Sequence, residues 1–282
     1  MPLFLAEKSW IAEHLLDVEP IAGGLGHLGI SKHVLGMFVA AIGLILLFAP
    51  FGRSLRQSPI VPRGRVTNLL EILLIFIRDD ITRPFLGKAG DKFLPVIWTL
   101  FFFVLFCNLI GLLPLIPPFY VPVVGHDGAT HWSFFGLVTP TGQIYVTATL
   151  SVIAGAWWHL LGIKEQGLVA YVKNIVPGGL PLWLIPMLFV IELVGHVIKI
   201  VALALRLWAN MTGGHAVLFA ALGMVIMFGH LLGGWMTIPM GAVSIISGTI
   251  VYFLEIFVAF LQAYVFTFLV TVFLGMALHP DH

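Results

Sequence analysis

Among the polar residues inside the two most apolar stretches of the chain are Glu192, Lys199, Arg206, Asn210 and His215 in the first and Glu255 and Gln262 in the second. An arginine at bilayer depth costs roughly 2.5–3.5 kcal/mol on insertion scales, so Arg206 in "IVALALRLWANMTGG" needs a reason. Arginine stays protonated in proteins. Such a group cannot hand a proton on, but it can bar a cation or stabilise a passing anion. His215 and Glu255 are different in kind. Imidazole and carboxyl groups exchange protons, and perturbed examples titrate near neutrality, so these two could relay them.

Spacing organises the set. Glu192, Lys199 and Arg206 lie seven and seven apart, a drift of about 20° per step on a straight helix. Asn210 follows four residues later on the same face, and Ala202, Ala209 and Gly213 share the stripe. Small-sided stripes let a neighbouring helix come close; one centred on an arginine implies that something passes near that charge. His215, nine residues beyond Arg206, faces the other side of a helix. Glu255 and Gln262 are seven apart, with Ala259 and Ala263 beside them. If the two stretches are antiparallel helices joined near 231–237, facing positions sum to about 468. Arg206 then comes level with Gln262, and His215 with about residue 253, close to Glu255. Plainer readings exist for each. Glu192 and Lys199 could be an i,i+7 interfacial pair. Arg206 could be paired with Glu255 or helix carbonyls, His215 could be a core histidine, and Asn210 and Gln262 could be helix-joining amides.

These residues need long membrane helices to hold them, and the composition supplies such helices. Of 282 residues, 60% are hydrophobic and 10% charged, against about 25% charged in soluble domains. The chain reads as an all-α integral membrane protein of about five spans. The single cysteine, Cys107, excludes a disulfide framework. The net charge of +1 and the lack of a basic, aromatic-interleaved cluster give no nucleic-acid signal. The remaining histidines show no metal-cage spacing, and no nucleophile elbow, phosphate loop or paired catalytic carboxylates occur. The acidic N-terminus reads as neither signal nor transit peptide, so insertion as written is expected.

Residues 1–31 read as a Gly-containing lead-in and about 33–51 as a first span ended by Pro50 and Gly52. Residues 66–82 read as an amphipathic interfacial helix. Spans follow at about 93–114 and 142–163, with a loop from 115 to about 140 between them. The apolar blocks 182–230 and 236–277 exceed the ~20 residues of a perpendicular span and lack an internal polar turn. A hairpin of two long, steeply tilted helices is expected. Residues 1–65 form an N-terminal segment with the first span and a basic loop, and 66–282 a single membrane domain. Basic residues in the 53–65 and 164–173 loops place both in the cytoplasm, with the N-terminus outside and the C-terminus inside.

With these residues in place, the chain resembles a known family, the a subunit of F-type ATP synthases. "LALRLWANMTGGH" is similar to that family's Leu-Arg-Leu-x-x-Asn-Met-x-x-Gly signature. "FCNLIGLLP", "TPTGQIYVTATL", "VPGGLPLWLIPMLFVIELVG" and "LEIFVAFLQAYVFTFL" support it. The resemblance covers the chain from about residue 66 onward. It implies a stator subunit with no catalytic site or cofactor of its own, moving protons through two offset half-channels against a ring of small hairpin c subunits. Peripheral-stalk b subunits and the bilayer are its other implied partners, and a bacterial inner membrane its implied location. By position, Arg206 matches the family's essential arginine, Asn210 the following asparagine, and Gln262 the glutamine facing the arginine. His215 and Glu255 match a pair that occurs as His-then-Glu or in the reverse order. Glu192 and Lys199 match polar positions toward the cytoplasmic access path. The chain departs from the pattern after Pro-Thr, where Gly142, Gln143 and Tyr145 stand instead of Asp or Asn. A secondary transporter would predict inverted repeats, and no internal repeat is visible. A purely structural anchor would not need the buried charge.

Overall fold

Apolar runs bounded by Gly, Pro and polar turns become helices here, because in lipid a spanning backbone must satisfy its own hydrogen bonds. The computed structural model describes residues 32–57, 64–112, 120–124, 130–134, 139–175, 181, 183–232 and 237–278. The 1–31 lead-in and the turn at 233–236 lie outside these. In chain order the helices are α1 (Lys32–Gln57), α2 (Arg65–Phe76), α3 (Arg83–Leu86), α4 (Leu94–Ile110), α5 (Ile144–Gln166), α6 (Leu168–Asn174), α7 (Ile185–Leu232) and α8 (Thr237–Leu278). Five of these are long and apolar enough to cross a membrane, as the sequence leads one to expect.

Three boundaries differ from the sequence reading. Helix α1 does not stop at Pro50 but runs through it to Gln57. Proline removes one N–H and crowds the carbonyl four residues back, a local cost that spanning helices tolerate. The interfacial helix α2 continues as a π-helical turn, Ile77–Thr82, where the Thr82 hydroxyl donates to the Ile77 carbonyl at 3.0 Å, five residues back. The loop after α4 holds a two-stranded antiparallel hairpin, β1 (Tyr120–Val124) and β2 (Thr130–Phe134), with Pro122 opposite Trp132. Pro122 lacks a donor but sits in a ribbon that is all edge, where that loss is tolerated.

Two compact units arise from interleaved segments. The first combines the start of α1, to Ala41, with Leu105–Val146 and Leu207–Gln262. At its centre Leu112, Met211 and Ala259 are buried together, with Leu109 and Ile256 against them. Within this unit α7 and α8 pair in the register 215 with 255 and 211 with 259. Both pairs sum to 470, two residues from the count made on sequence alone.

The second unit combines Ile42–Val104, Thr147–Arg206 and Ala263–His282. Aromatic edges lock it: Trp158 against Phe273 at 5.2 Å and Phe48 against Phe102 at 4.8 Å between ring centres. Trp98 donates its indole N–H to the Leu74 carbonyl at 3.1 Å, tying α4 to α2. On the surface Arg83 bridges Asp79 and Asp91 at 2.9 and 3.2 Å.

The length of α7 decides how it must be used. Its 48 residues make about 70 Å at 1.5 Å per residue, far beyond a hydrocarbon core of about 30 Å. No polar break interrupts it, so one long helix carries Glu192, Lys199, Arg206, Asn210 and His215 together.

Candidate functional site

In the first unit the two titratable residues that spacing brought level are in contact. His215 Nδ1 lies 2.8 Å from Glu255 Oε1, and both residues are buried, at 8% and 2% exposure. Gly214 makes this possible. A Cβ built there would sit 2.6 Å from Glu255 Oε1, closer than any methyl can be held. The carboxylate therefore occupies the space that a side chain at 214 would fill. The Nδ1 atom also lies 2.9 Å from the Met211 carbonyl. A carbonyl can only accept, so the Nδ1 proton is directed there, and Oε1 is held by a short charge contact rather than a linear hydrogen bond. Among the described residues neither Glu255 oxygen accepts a well-aligned hydrogen bond. On its far side the imidazole presents Nε2 to the Thr139 hydroxyl at 3.2 Å.

Further polar side chains surround this pair that spacing arguments did not place. Asn108 is fully buried. It donates to the Ala259 carbonyl at 3.1 Å and accepts from the Thr141 hydroxyl at 2.7 Å. Thr212 donates to the Gly142 carbonyl at 3.4 Å, and Tyr252 to the Leu112 carbonyl at 2.6 Å. Gln143 is buried with its amide nitrogen 3.3 Å from His33 Nε2, whereas Tyr145 is 69% exposed. Of the three residues that depart from the family pattern, Gln143 supplies the buried polar side chain. The signals were present in sequence: a lone amide in the apolar run around Asn108, and the cluster Thr-Pro-Thr-Gly-Gln opening a span.

Asn108 gives a first prediction. Asn108→Leu leaves the Thr141 hydroxyl and the Ala259 carbonyl without their partner in the interior. An unmade buried hydrogen bond costs about 1–3 kcal/mol. The purified subunit or complex carrying it should melt several degrees lower in detergent, and an unchanged melting temperature would show that Asn108 does not brace this unit.

In the second unit Glu192 and Lys199 do approach, with Nζ 3.9 Å from Oε1 and both side chains partly exposed, a weak pair by distance and solvation. Arg206 is exposed. Its helical neighbours Leu203, Ala204 and Leu207 are buried. Ala209, Asn210 and Gly213 are exposed and Ala202 half-buried, and a Cβ at Gly213 would meet nothing within 4 Å. The small-sided stripe around the charge thus faces out of the chain. Gln262, by contrast, is buried at 6%, in the first unit, with Ala259 and Ala263 fully buried beside it in sequence. Among the described residues no cluster of three His, Cys, Asp or Glu side chains could hold a metal.

Against this arrangement, the family model for the ATP synthase A chain matches residues 34–275. The chain belongs to the ATP synthase A chain family. ATP synthase subunit a of Myxococcus xanthus is 34% identical over 278 residues, covering 96% of this chain and 82% of that protein. The subunit a of Chloroherpeton thalassium is 34% identical over 283 residues, 95% of this chain and 75% of that one. That of Pelodictyon phaeoclathratiforme is 35% identical over 274 residues, 95% and 71%. A member of the A chain family is a proton-translocating membrane subunit of ATP synthase, with the ATP chemistry done elsewhere in the complex. A proton path in such a subunit calls for buried titratable groups and for a barrier that cannot itself titrate.

Proposed function

We propose that this chain carries protons through two offset half-channels, with Arg206 as the barrier between them and as the group that discharges a carboxylate on a rotating ring of small hairpin subunits. The carrying observation is the outward-facing stripe of Ala209, Asn210 and Gly213 around an exposed, permanently charged Arg206. On an apolar helix such a charge is stable only against something that neutralises it, and the small side chains leave room for a second helix. A carboxylate brought near a fixed cation has its pKa lowered by about 1–3 units, so it gives up its proton there. A ring that must shed its proton at Arg206 and regain one elsewhere turns instead of leaking.

His215 and Glu255, with Thr139 against the imidazole, form the relay of the half-channel on the non-cytoplasmic side. Glu192 and Lys199 belong to the cytoplasmic one. Asn210 lines the ring-facing surface, and Gln262, buried on α8, is a further polar residue of the path. The partners are the ring, the b subunits of the peripheral stalk, and lipid. The location is a bacterial inner membrane, with the N-terminus outside and the C-terminus in the cytoplasm. Across that membrane one proton exchanges about 2.3 kcal/mol per 100 mV with the field.

The ring-facing stripe is tested by cross-linking. Cys107 is buried. In a Cys107→Ala background, Ala209→Cys should form an oxidant-dependent disulfide with a cysteine placed one helical turn from the ring carboxylate. No cross-link along the whole ring helix, under conditions where another exposed position of α7 does react, would mean that the stripe faces lipid and that the proposal is wrong.

A further inference from the structure

Thr139 meets the His215 imidazole from a turn that is fastened on both sides. Pro140 restricts the residue before it to extended backbone, and Thr139 is extended, at φ −82° and ψ 115°. The turn closes on itself, with the Gly142 N–H donating to the Thr139 carbonyl at 2.9 Å. Its end is tied to α7, where Thr212 donates to the Gly142 carbonyl at 3.4 Å. Its middle is tied to α4, where Thr141 donates to Asn108 at 2.7 Å. Asn108 in turn donates to the Ala259 carbonyl of α8 at 3.1 Å. Thr212 lies three residues before His215, and Ala259 four after Glu255. The threonine is thus braced against the helical turn next to each member of the pair.

Gly111, one residue past α4, decides how near this turn can come. A Cβ built there would overlap the Thr139 hydroxyl oxygen and stand 2.8 Å from Thr139 Cα. Backbone cannot step aside as the tip of a flexible side chain can, so position 111 admits no side chain while Thr139 keeps its place. Thr139 is buried. A buried hydroxyl needs a partner inside the protein, and His215 Nε2 at 3.2 Å is one.

The chemistry of a hydroxyl suits that position. It has one proton to donate and two lone pairs, and it turns about its C–O bond. With the His215 proton on Nδ1, facing the Met211 carbonyl at 2.9 Å, Nε2 offers a lone pair and the hydroxyl donates to it. In an imidazolium both nitrogens carry protons, and the same oxygen then accepts from Nε2. The ring need not rotate as its charge changes, and Nδ1 stays 2.8 Å from Glu255 Oε1.

We propose that Thr139 is a positioning residue for proton transfer: its hydroxyl holds the His215 ring in both protonation states, with Nδ1 on Glu255, and Gly111 is the gap that lets it approach. This rests on the reading of His215 and Glu255 as a relay.

The test separates the hydroxyl from the methyl of Thr139, by ATP-driven acidification of inverted vesicles carrying the whole complex. Thr139→Val keeps the shape and loses the hydroxyl, whereas Thr139→Ser keeps the hydroxyl and loses the methyl. Thr139→Val should cut pumping about tenfold, the scale of one buried hydrogen bond, and Thr139→Ser should keep most of it. A packing role predicts the reverse order, because the serine leaves a gap and the valine does not. That reverse order, or equal rates, would overturn the assignment. If the valine variant fails to assemble, Thr139→Ala against Thr139→Ser compares the same oxygen in smaller side chains, with the same expectation. Gly111→Ala should lose about as much as Thr139→Val. Combining the two should cost little more, since changes that remove one shared interaction do not add; losses that multiply would overturn the part given to Gly111. Thr139→Val pumping normally while Glu255→Gln fails would overturn the role of Thr139 alone. Normal pumping by Glu255→Gln would instead overturn the relay reading itself.

Discussion

Inverted vesicles whose complex carries Arg206→Ala are expected to lose ATP-driven acidification entirely, with the subunit still inserted and the complex still assembled. The reason for expecting survival of the fold is local. Arg206 is exposed, while the buried packing of this part of α7 is made by Leu203, Ala204 and Leu207, which the substitution leaves unchanged. Alanine is the best helix former and removes a costly charge from an apolar face, so α7 should be no less stable. What is lost is electrostatic. Without the cation, a ring carboxylate passing the stripe keeps its ordinary affinity for its proton, a difference of about 1–3 pKa units or about 1.4–4 kcal/mol. Nothing then blocks protons moving between half-channels, so the gradient also leaks. Arg206→Lys should restore part of the pumping and fail at alkaline pH, because a desolvated ammonium sheds its proton where a guanidinium does not. Immunoblots of the same vesicles establish assembly. Normal acidification by an assembled Arg206→Ala complex would make the charge structural and end the barrier account.

The features legible in the sequence were the ones that periodicity writes locally. Helices α7 and α8 were expected to be unbroken because no polar turn interrupts 182–230 or 236–277, and they run Ile185–Leu232 and Thr237–Leu278. The contact of His215 with Glu255 followed from antiparallel counting, which missed the register by two residues because the length of the connecting turn is not written in the pattern. Two residues is less than one helical turn, too little to part side chains of that reach. Asn108, Thr139, Gln143 and His33 were not placed around the pair, since they come from three separate stretches that only tertiary packing assembles. The β1–β2 hairpin was read as a loop because its strands are five residues each, below the length at which alternation is distinguishable from chance.

Substituting Glu255→Gln should lower ATP-driven pumping at least tenfold while leaving the subunit folded. Removing one partner of a buried ion pair usually destabilises by about 3–5 kcal/mol because a charge is stranded. Here it is not. His215 already has Nδ1 against the Met211 carbonyl and Nε2 against the Thr139 hydroxyl, so a neutral imidazole beside a neutral amide leaves no unpaired charge. The amide keeps the shape of the carboxyl and cannot take up a proton, so the relay is cut and the packing is kept. Gly214→Ala separates geometry from titration. It retains the carboxylate but places a methyl where Glu255 Oε1 now lies, 2.6 Å from the built position, which forces the carboxylate away from the imidazole. If His215 and Glu255 exchange protons through their 2.8 Å contact, Gly214→Ala should lose most of the pumping that Glu255→Gln loses, and Gly213→Ala, with open space at its Cβ, should lose far less. Equal effects at 213 and 214 would show that the helix backbone tolerates no side chain at either glycine and that the contact is incidental. A Gly214→Ala subunit that pumps normally would show that protons reach the ring without passing between these two residues.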